Sequence, residues 1–390
     1  MVAGFGAGLL LQWRGPGAAQ PIADAVEPLG TLWCDALRLF VYPLVAFLLL
    51  LAIATPVSSR STSRMAWIAF ATFLGLLLVG AALALLLTPP SMVLLGVERG
   101  GFRAGAPAPA PPGGGGWLTP LFGGGFATAF ARGDLLAILL VSCMFALAVR
   151  RLPEDRRRTL VDFFRASLEA LLVILGWFMA LAPLAIFALS LGMGVRSGAS
   201  GVGAFAAFVA IVVVELLALT LLVYPIAAGL GGLSILRFAR AALPPQGVAM
   251  GTRSSIASLP ALLDAGRRLG LAPEVSGFVF PLCVAVFKAN RTVSGTVKLL
   301  FLAHVFGVPL DPGAIGAYVL TLVAISFAAP GTPSGGAFVS APALLAAGVP
   351  MEGVAMAYAV DTLPDIFKTL ANVTSDLAAA VIVARFRQAD

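Results

Sequence analysis

The sequence from position 361 to position 376 reads Asp-Thr-Leu-Pro-Asp-Ile-Phe-Lys-Thr-Leu-Ala-Asn-Val-Thr-Ser-Asp, and it is unusually polar for this chain. Its charged and amide side chains recur every three or four residues, at Asp361, Asp365, Lys368, Asn372 and Asp376. On one α-helix they would share a face about 80° wide, because successive residues are about 100° apart. The flanking segments 356–360 and 377–383 are apolar enough to lie in lipid, where ionised side chains usually belong to a substrate or ion path. We therefore expect one wall of a binding site rather than a solvated helix face.

The composition is that of a polytopic membrane protein. Hydrophobic residues make up 60% of the 390 positions and charged residues 11%, with a mean hydropathy of +1.01, which lies far outside the range of soluble domains. Apolar runs long enough to span a bilayer lie at 31–55, 65–88, 134–149, 168–192, 203–230, 274–303 and 353–384. The first apolar segment, 2–13, is shorter and predicts a partial or tilted first helix. A cleaved signal is not expected there, because no basic residue precedes it.

The net charge of +7 reflects the orientation of the chain rather than a nucleic-acid partner. Most arginines lie in alternate connections between the apolar runs: Arg60, Arg64, Arg150, Arg151, Arg156, Arg157, Arg158, Arg237, Arg240, Arg267, Arg268, Arg385 and Arg387. The positive-inside rule places these connections in the cytoplasm. We therefore expect a multi-pass protein of the inner (plasma) membrane, with both termini cytoplasmic and the lipid bilayer as its environment. The three cysteines have no metal-ligand spacing, so no metal centre or other cofactor is expected.

Two apolar segments are interrupted by small polar tips. In 241–268 the tip contains Thr252-Arg253-Ser254-Ser255, and in 312–349 it runs from Ser326 to Gly336. Irregular backbone at membrane depth survives only where protein buries it or where it lines a cavity, so both segments predict re-entrant hairpins around a site. Residues 98–133 are rich in proline and glycine and predict a flexible external loop.

These motifs together resemble those of the dicarboxylate/amino acid:cation symporters, a family that includes the glutamate and aspartate transporters. The resemblance is carried by Thr252-Arg253-Ser254-Ser255, Leu259-Pro260, Pro281-Leu282, Pro330-Gly331-Thr332-Pro333 and Asn372-Val-Thr-Ser-Asp376. It implies an all-α polytopic fold of eight transmembrane helices plus two re-entrant helical hairpins. It also implies a homotrimer in which a transport domain slides like an elevator against a central scaffold.

The resemblance divides the chain into scaffold and transport segments. The expected segments are scaffold helices 1–2 at 1–64, transport-domain helix 3 at 65–97, the external loop at 98–133, scaffold helices 4–5 at 134–199 and a transport core at 200–390. Within the core we expect helix 6, hairpin 1 at 241–268, helix 7 at 272–303, hairpin 2 at 312–349 and helix 8 at 352–386.

The resemblance also assigns a substrate site. Ser255 and Asn372 match positions that hold the main carboxylate of the substrate, and Asp365 matches the aspartate that binds its amino group. The full set of expected contacts is Ser254, Ser255, Thr332, Pro333, Ser334, Gly335, Asp365, Lys368, Thr369 and Asn372. Asp365 favours an amino acid over a dicarboxylate, to which it would offer only repulsion.

Lys368 stands where carriers of acidic amino acids have an arginine for the side-chain carboxylate. The ammonium group of lysine keeps the positive charge but cannot form the bidentate hydrogen bonds of a guanidinium group. Selectivity for a planar carboxylate is therefore weakened or changed. The alternative is that Lys368 pairs with Asp365 three residues earlier, which would leave neither group for a ligand.

The largest departure from the family lies in helix 7. Where the family has Asn-Met-Asp-Gly-Thr, this chain has Phe287-Lys288-Ala289-Asn290-Arg291. Two oxygen ligands of sodium are replaced and two cations are introduced, so the sodium sites near Ser326, Asn372 and Asp376 should be weakened or absent. In helix 3, Ala69 and Phe73 likewise replace a tyrosine and a serine that help the family to bind sodium.

We therefore hypothesise that Lys288 or Arg291 takes the place of a sodium ion and pairs with Asp376 or Asp361. The alternative is that Lys288 snorkels and that Arg291 faces a loop. All three lysines of the chain, Lys288, Lys298 and Lys368, lie in the transport core region, whereas the surface cations are arginines.

The predicted function is secondary active transport of a small carboxylate-bearing solute, an amino acid, with sodium coupling lost or reduced. Alternatives are a proton-coupled dicarboxylate or acidic amino acid symporter, and an anion channel or sensor derived from the same fold. A proton or residual sodium would then be the coupling ion, and the candidate proton carriers are Asp361, Asp365, Asp376, Glu215 and His304. Alternatively, Glu215 is a structural hydrogen-bonding group and His304 lies at the membrane interface. A Ser–Lys hydrolase is disfavoured, because the serines are explained by the hairpin tip, so no enzyme is expected.

Overall fold

The computed structural model describes residues 2–54, 60–102, 135–197, 200–326 and 343–388, and these residues are helical with no strand among them. The first helices are α1 (Val2–Arg14), α2 (Pro16–Ala54), α3 (Arg60–Leu94), α4 (Leu135–Val149), α5 (Glu154–Ser197) and α6 (Ser200–Gly231). They are followed by α7 (Ile235–Thr252), α8 (Leu259–Leu269), α9 (Pro273–Val286), α10 (Asn290–Val305), α11 (Pro312–Ser326), α12 (Met351–Ala359) and α13 (Thr362–Gln388).

One group of helices, α1, α2 and α4, is built around α5, against which α1 and α2 pack, while α4 packs on α2. Backbones in this group come very close. A Cβ atom on Gly8 would lie 2.3 Å from the carbonyl oxygen of Leu191, and one on Gly194 would lie 2.4 Å from that of Phe5. Small residues at such crossings let membrane helices gain van der Waals contact where the hydrophobic effect is weak. Any larger side chain at Gly8 or Gly194 would separate α1 from α5.

A second group consists of α3, α6, α7, α8, α9, α10, α11 and α13, with α13 near its centre. Helix α13 packs against α6, α7, α9 and α3, and α10 packs against α3, α6 and α11. Residues 377–384 of α13 are buried throughout, mostly as alanine and valine. Small side chains in this stretch allow several helices to surround α13 closely. The polar part of α13 is thereby held inside protein.

Three described helical stretches are long and apolar enough to cross a membrane, judged by length and composition: Met65–Leu94, Val202–Gly231 and Leu363–Arg387. Shorter apolar helices lie at Leu140–Val149, Pro183–Gly192, Pro273–Val284 and Pro312–Ser326. The expectation of eight spanning helices stays a prediction. The helical architecture itself is that of an integral membrane protein.

The interruption predicted within 241–268 is present as a turn between α7 and α8, which pack against each other. Helix α7 ends at Arg253, whose φ of 54° is left-handed, and α8 begins with a proline in its first turn, where the missing N–H costs nothing. The second predicted tip lies largely at 327–342, outside the described residues, and so do Thr332, Pro333, Ser334 and Gly335. Of the predicted loop 98–133, only residues up to 102 are described.

Two of the expected helices are divided in the structure. Helix 7, expected over 272–303, is split into α9 and α10 by Phe287, Lys288 and Ala289. Helix 8, expected over 352–386, is split into α12 and α13 at positions 360 and 361. The cause of the second break is Pro364, which is accommodated in the first turn of a helix but not in its interior. The prediction of one helix carrying the whole polar stripe is therefore wrong for Asp361, which precedes α13.

Candidate functional site

A pair of asparagines joins the break between α9 and α10 to α13. The backbone N–H of Asn290, the first residue of α10, donates to Oδ1 of Asn372 at 3.1 Å, and Nδ2 of Asn290 donates to the same oxygen at 2.9 Å. A first-turn N–H has no partner within its own helix, and here α13 supplies one. With Oδ1 engaged twice, the amide of Asn372 is oriented so that Nδ2 is left as a donor. That donor bonds to no other described residue.

Asp361 occupies the position before the first turn of α13, and its backbone oxygen accepts from the N–H of Asp365 at 2.8 Å. Its carboxylate makes two ionic contacts. Oδ1 lies 3.4 Å from Nζ of Lys298 on α10 and is also bonded to Nζ of Lys368 on α13. Asp361 thus connects the two helices through a buried group of two ammonium ions and one carboxylate.

This arrangement corrects two expectations. The alternative prediction paired Lys368 with Asp365. In the structure Lys368 pairs with Asp361 instead. The cations that contact Asp361 are Lys298 and Lys368, and not Lys288 or Arg291. The contact of Lys298 with Asp361 is not among the expectations from the sequence. A signal was available: Lys298 follows Arg291 by seven residues, so both lie on one face of α10.

Asp365 is partly buried in the first turn of α13. Its backbone oxygen accepts from the hydroxyl of Thr369 at 2.9 Å. Its carboxylate makes no hydrogen bond or ion pair within the part of the chain that the structure describes. Because Lys368 is engaged by Asp361, no described cation is in contact with the carboxylate of Asp365. The hydroxyl of Thr369 is occupied by its own helix.

The hairpin tip separates its two candidate serines. The Oγ atom of Ser254 accepts from the N–H of Ala257 at 3.3 Å, and its carbonyl accepts from the hydroxyl of Ser258 at 3.1 Å. Ser254 therefore builds the turn. Ser255 is buried, unlike Ser254, and its hydroxyl makes no hydrogen bond with the described residues. Of the two predicted contacts, Ser255 is the one whose side chain can serve a ligand.

The break between α9 and α10 holds the residues that replace the family's sodium motif. Phe287 is extended, and its ring stacks on that of Phe73 from α3, with centroids 3.9 Å apart and planes 17° from parallel. The ammonium group of Lys288 donates to the carbonyl of Val284 in the last turn of α9 at 2.6 Å, a favourable end of a helix for a cation. Two positions where the resemblance implies oxygen ligands are thus filled by a packed aromatic pair.

Asp376 lies in α13 with no exposed surface, and neither carboxylate oxygen has a hydrogen-bond partner among the described residues. Lys288 attracts it electrostatically without forming a contact ion pair. The pairing of Lys288 with Asp376 that the hypothesis allows is therefore not a salt bridge in this structure, and replacement of sodium by Lys288 stays a prediction. Lys288 is only 7% exposed and donates to Val284, so the interpretation of a snorkelling lysine does not fit. Arg291 is also only 7% exposed.

The remaining residues that the sequence singled out, Glu215, His304 and Ser326, each make a hydrogen bond within the protein. Glu215 in α6 has no exposed surface, and its Oε1 accepts from the hydroxyl of Thr88 in α3 at 2.8 Å. The Nε2 atom of His304 lies 3.0 Å from the carbonyl of Val97, which ties the end of α10 to the segment after α3. The hydroxyl of Ser326 donates to Leu322 of its own helix at 2.6 Å.

A helical membrane protein with charged side chains gathered at two interior helix breaks belongs to the class of membrane transport proteins. The sequence profile of the sodium:dicarboxylate symporter family matches residues 1–386, so the chain belongs to this family. The family consists of symporters and not of enzymes, and the protein is an integral membrane transporter. The resemblance found from the motifs is confirmed.

Characterised relatives share about a quarter of their residues with the chain. It is 25% identical to the C4-dicarboxylate transport protein of Bacillus subtilis (strain 168) over 374 residues, 93% of this chain and 88% of that protein. It is also 25% identical to the proton/glutamate-aspartate symporter of Escherichia coli (strain K12) over 397 residues, 99% of this chain and 91% of that protein. A proton/sodium-glutamate symport protein of Bacillus subtilis (strain 168) is 27% identical over 264 residues, 67% of this chain and 61% of that protein. Relatives of this chain are thus named for dicarboxylates and for acidic amino acids alike.

Proposed function

We propose that this protein is a secondary transporter of an acidic amino acid and that it binds its substrate without sodium. The observation that carries the substrate class is the carboxylate of Asp365, which makes no ion pair with the described residues although Lys368 lies only three positions away. An anionic group held there attracts an ammonium group and repels a second carboxylate. A dicarboxylate without an amino group has no cation that could bind to Asp365.

The substrate contacts follow from the groups that remain available. Nδ2 of Asn372 and the hydroxyl of Ser255 can donate to the main carboxylate, and Asp365 can accept from the ammonium group. Lys368 can bind the second carboxylate of an acidic side chain. Thr332, Pro333, Ser334 and Gly335 of the second hairpin remain proposed contacts from the resemblance.

The absence of sodium coupling is supported by the surroundings of Asp376. Sodium requires several hard oxygen ligands, yet Phe287 and Phe73 pack against each other where the family supplies such ligands. Lys288 interacts electrostatically with Asp376 and would repel a second cation there. The unpaired carboxylate of Asp376 can instead accept a proton, which makes proton coupling the alternative for uphill transport.

The resemblance further implies a homotrimer and an elevator movement. What supports the movement is the grouping of the helices, since α1, α2, α4 and α5 pack among themselves and α13 is surrounded by α3, α6, α7 and α9. Among the described residues, Asp365, Lys368 and Asn372 lie in α13 and Ser255 in the turn between α7 and α8, so these ligand groups would move together.

Calorimetry on the purified protein tests the substrate class. Aspartate should bind at least about 10-fold more tightly than succinate, which has the same two carboxylates and no ammonium group. Asp365→Asn should lower the affinity for aspartate by about 10- to 100-fold and leave that for succinate unchanged or improved, because only aspartate loses a buried ionic hydrogen bond. Tighter binding of succinate than of aspartate by the wild-type protein would refute the proposal.

The same titration in choline and in sodium chloride tests the coupling. We expect the affinity for aspartate to be equal in the two salts. A steep rise of affinity with sodium concentration would show that sodium sites persist despite Lys288 and Arg291.

A further inference from the structure

The carboxylate of Asp361 is shared by two ammonium groups through a single oxygen. Oδ1 bonds to Nζ of Lys368 and lies 3.4 Å from Nζ of Lys298. One carboxylate balances only one of the two charges. Loss of either ammonium group from this contact would therefore leave the carboxylate in contact with the other one.

The two lysines differ in what they can reach. The side chain of Lys298 is 3% exposed and lies on α10, where most of the neighbouring residues are buried. The side chain of Lys368 is 10% exposed and lies on α13, three residues after Asp365 and four before Asn372. At these spacings Lys368 shares the helix face of the proposed ligand groups. Lys368 can therefore turn to a ligand, whereas Lys298 stays with Asp361.

A Lys368 that turned away from Asp361 without Lys298 present would leave a buried carboxylate with no cation in contact. Such an uncompensated charge would hold Lys368 in place and oppose substrate binding. Lys298 removes this obstacle, because its ammonium group already faces the same oxygen. Lys298 thus makes Lys368 available to a ligand.

We propose that Lys298 is a positioning residue for specificity: it keeps Asp361 neutralised while Lys368 moves from Asp361 to the side-chain carboxylate of the substrate. This inference rests on the proposed transport of an acidic amino acid. Lys298 itself does not touch the substrate. Its effect should therefore fall on the preference for an acidic side chain and not on the recognition of the amino acid backbone.

The test compares aspartate with asparagine, which has nearly the same shape and no side-chain charge. In Lys298→Met, Lys368 is held by Asp361 alone, so the ratio of aspartate to asparagine affinity should fall by about 10-fold or more. Lys298→Arg keeps the positive charge and should lower the ratio by less than about 3-fold. An equal loss of affinity for both ligands in Lys298→Met would mean a merely structural role and would overturn the inference.

A double variant guards against a Lys298→Met protein that does not fold. Lys298→Met with Asp361→Asn removes one charge of each sign, leaves Lys368 without its competitor and should restore the wild-type preference for aspartate. A folded double variant that prefers asparagine would also overturn the inference. Failure of the proposed function itself would look different, since wild-type protein would then prefer succinate or bind no aspartate.

Discussion

Asp361 and Asp376 stand fifteen positions apart, at the start of α13 and within it, and their surroundings are opposite. Asp361 is in contact with two ammonium groups. Asp376 has no exposed surface, and neither of its oxygens bonds to any group in the described ranges. Lys288 attracts it electrostatically, but the ammonium group of Lys288 donates to Val284.

The difference separates two kinds of buried carboxylate. A carboxylate in contact with cations keeps its charge and holds neighbouring groups in position, as Asp361 holds Lys298 and Lys368. A buried carboxylate without contacts is energetically unfavourable when it is charged. It can be neutralised reversibly by a proton or by a lysine that changes its conformation. Asp361 thus holds two lysines in position, and Asp376 is the carboxylate that we propose for coupling.

The largest effect is expected from Asp361→Asn. This substitution leaves Lys298 and Lys368 buried without a contacting carboxylate, which should lower the free energy of unfolding by about 3–5 kcal/mol. Thermal unfolding in detergent measures it. Asp365→Asn is the matched control, because its carboxylate makes no ion pair with the described residues, and it should unfold near the wild-type temperature. An Asp361→Asn protein as stable as that control would contradict a structural role for the contact.

A smaller effect is expected at the other carboxylate when its distant cation is removed. In Lys288→Met the repulsion of sodium near Asp376 is relieved, so saturating sodium should raise the free energy of unfolding by about 1–3 kcal/mol. Lys288→Arg keeps the charge and should respond no more than the wild type. Thermal unfolding of the three proteins is compared in sodium and in choline. An identical salt response in all of them would contradict the claim that Lys288 repels sodium near Asp376.

The smallest effect is expected from Asp376→Asn. Its carboxylate has no hydrogen bond to lose among the described residues, so the free energy of unfolding at neutral pH should change by less than about 1 kcal/mol. The measurement is the same thermal scan used for Asp361→Asn. A loss as large as that of Asp361→Asn would erase the distinction between the two carboxylates.

Much of the site could be predicted from the sequence because the chain is so apolar. In such a background the charges of 361–376 and the tip at 252–255 are conspicuous, and short motifs carry the family resemblance. Ser255, Asp365 and Asn372 were proposed as ligand groups on that basis. The structure leaves the side chain of each with an unused polar group.

The rest depends on contacts between distant segments. Helical periodicity predicted one helix through Asp361, whereas Pro364 starts a new one. The contact of Lys298 with Asp361 spans 63 positions, and the stacking of Phe73 on Phe287 brings together two substitutions that were interpreted separately. Sequence spacing along one helix cannot reveal such pairs, because they depend on how α3, α10 and α13 pack.

The most direct test of the account is uptake of radiolabelled aspartate into proteoliposomes made with choline on both sides, compared with an imposed inward sodium gradient. If fixed cations replace bound sodium, uptake should proceed in choline and its initial rate should be the same with the gradient. Uptake that occurs only when sodium is present outside would contradict the central claim that Lys288 and Arg291 stand in for the ion.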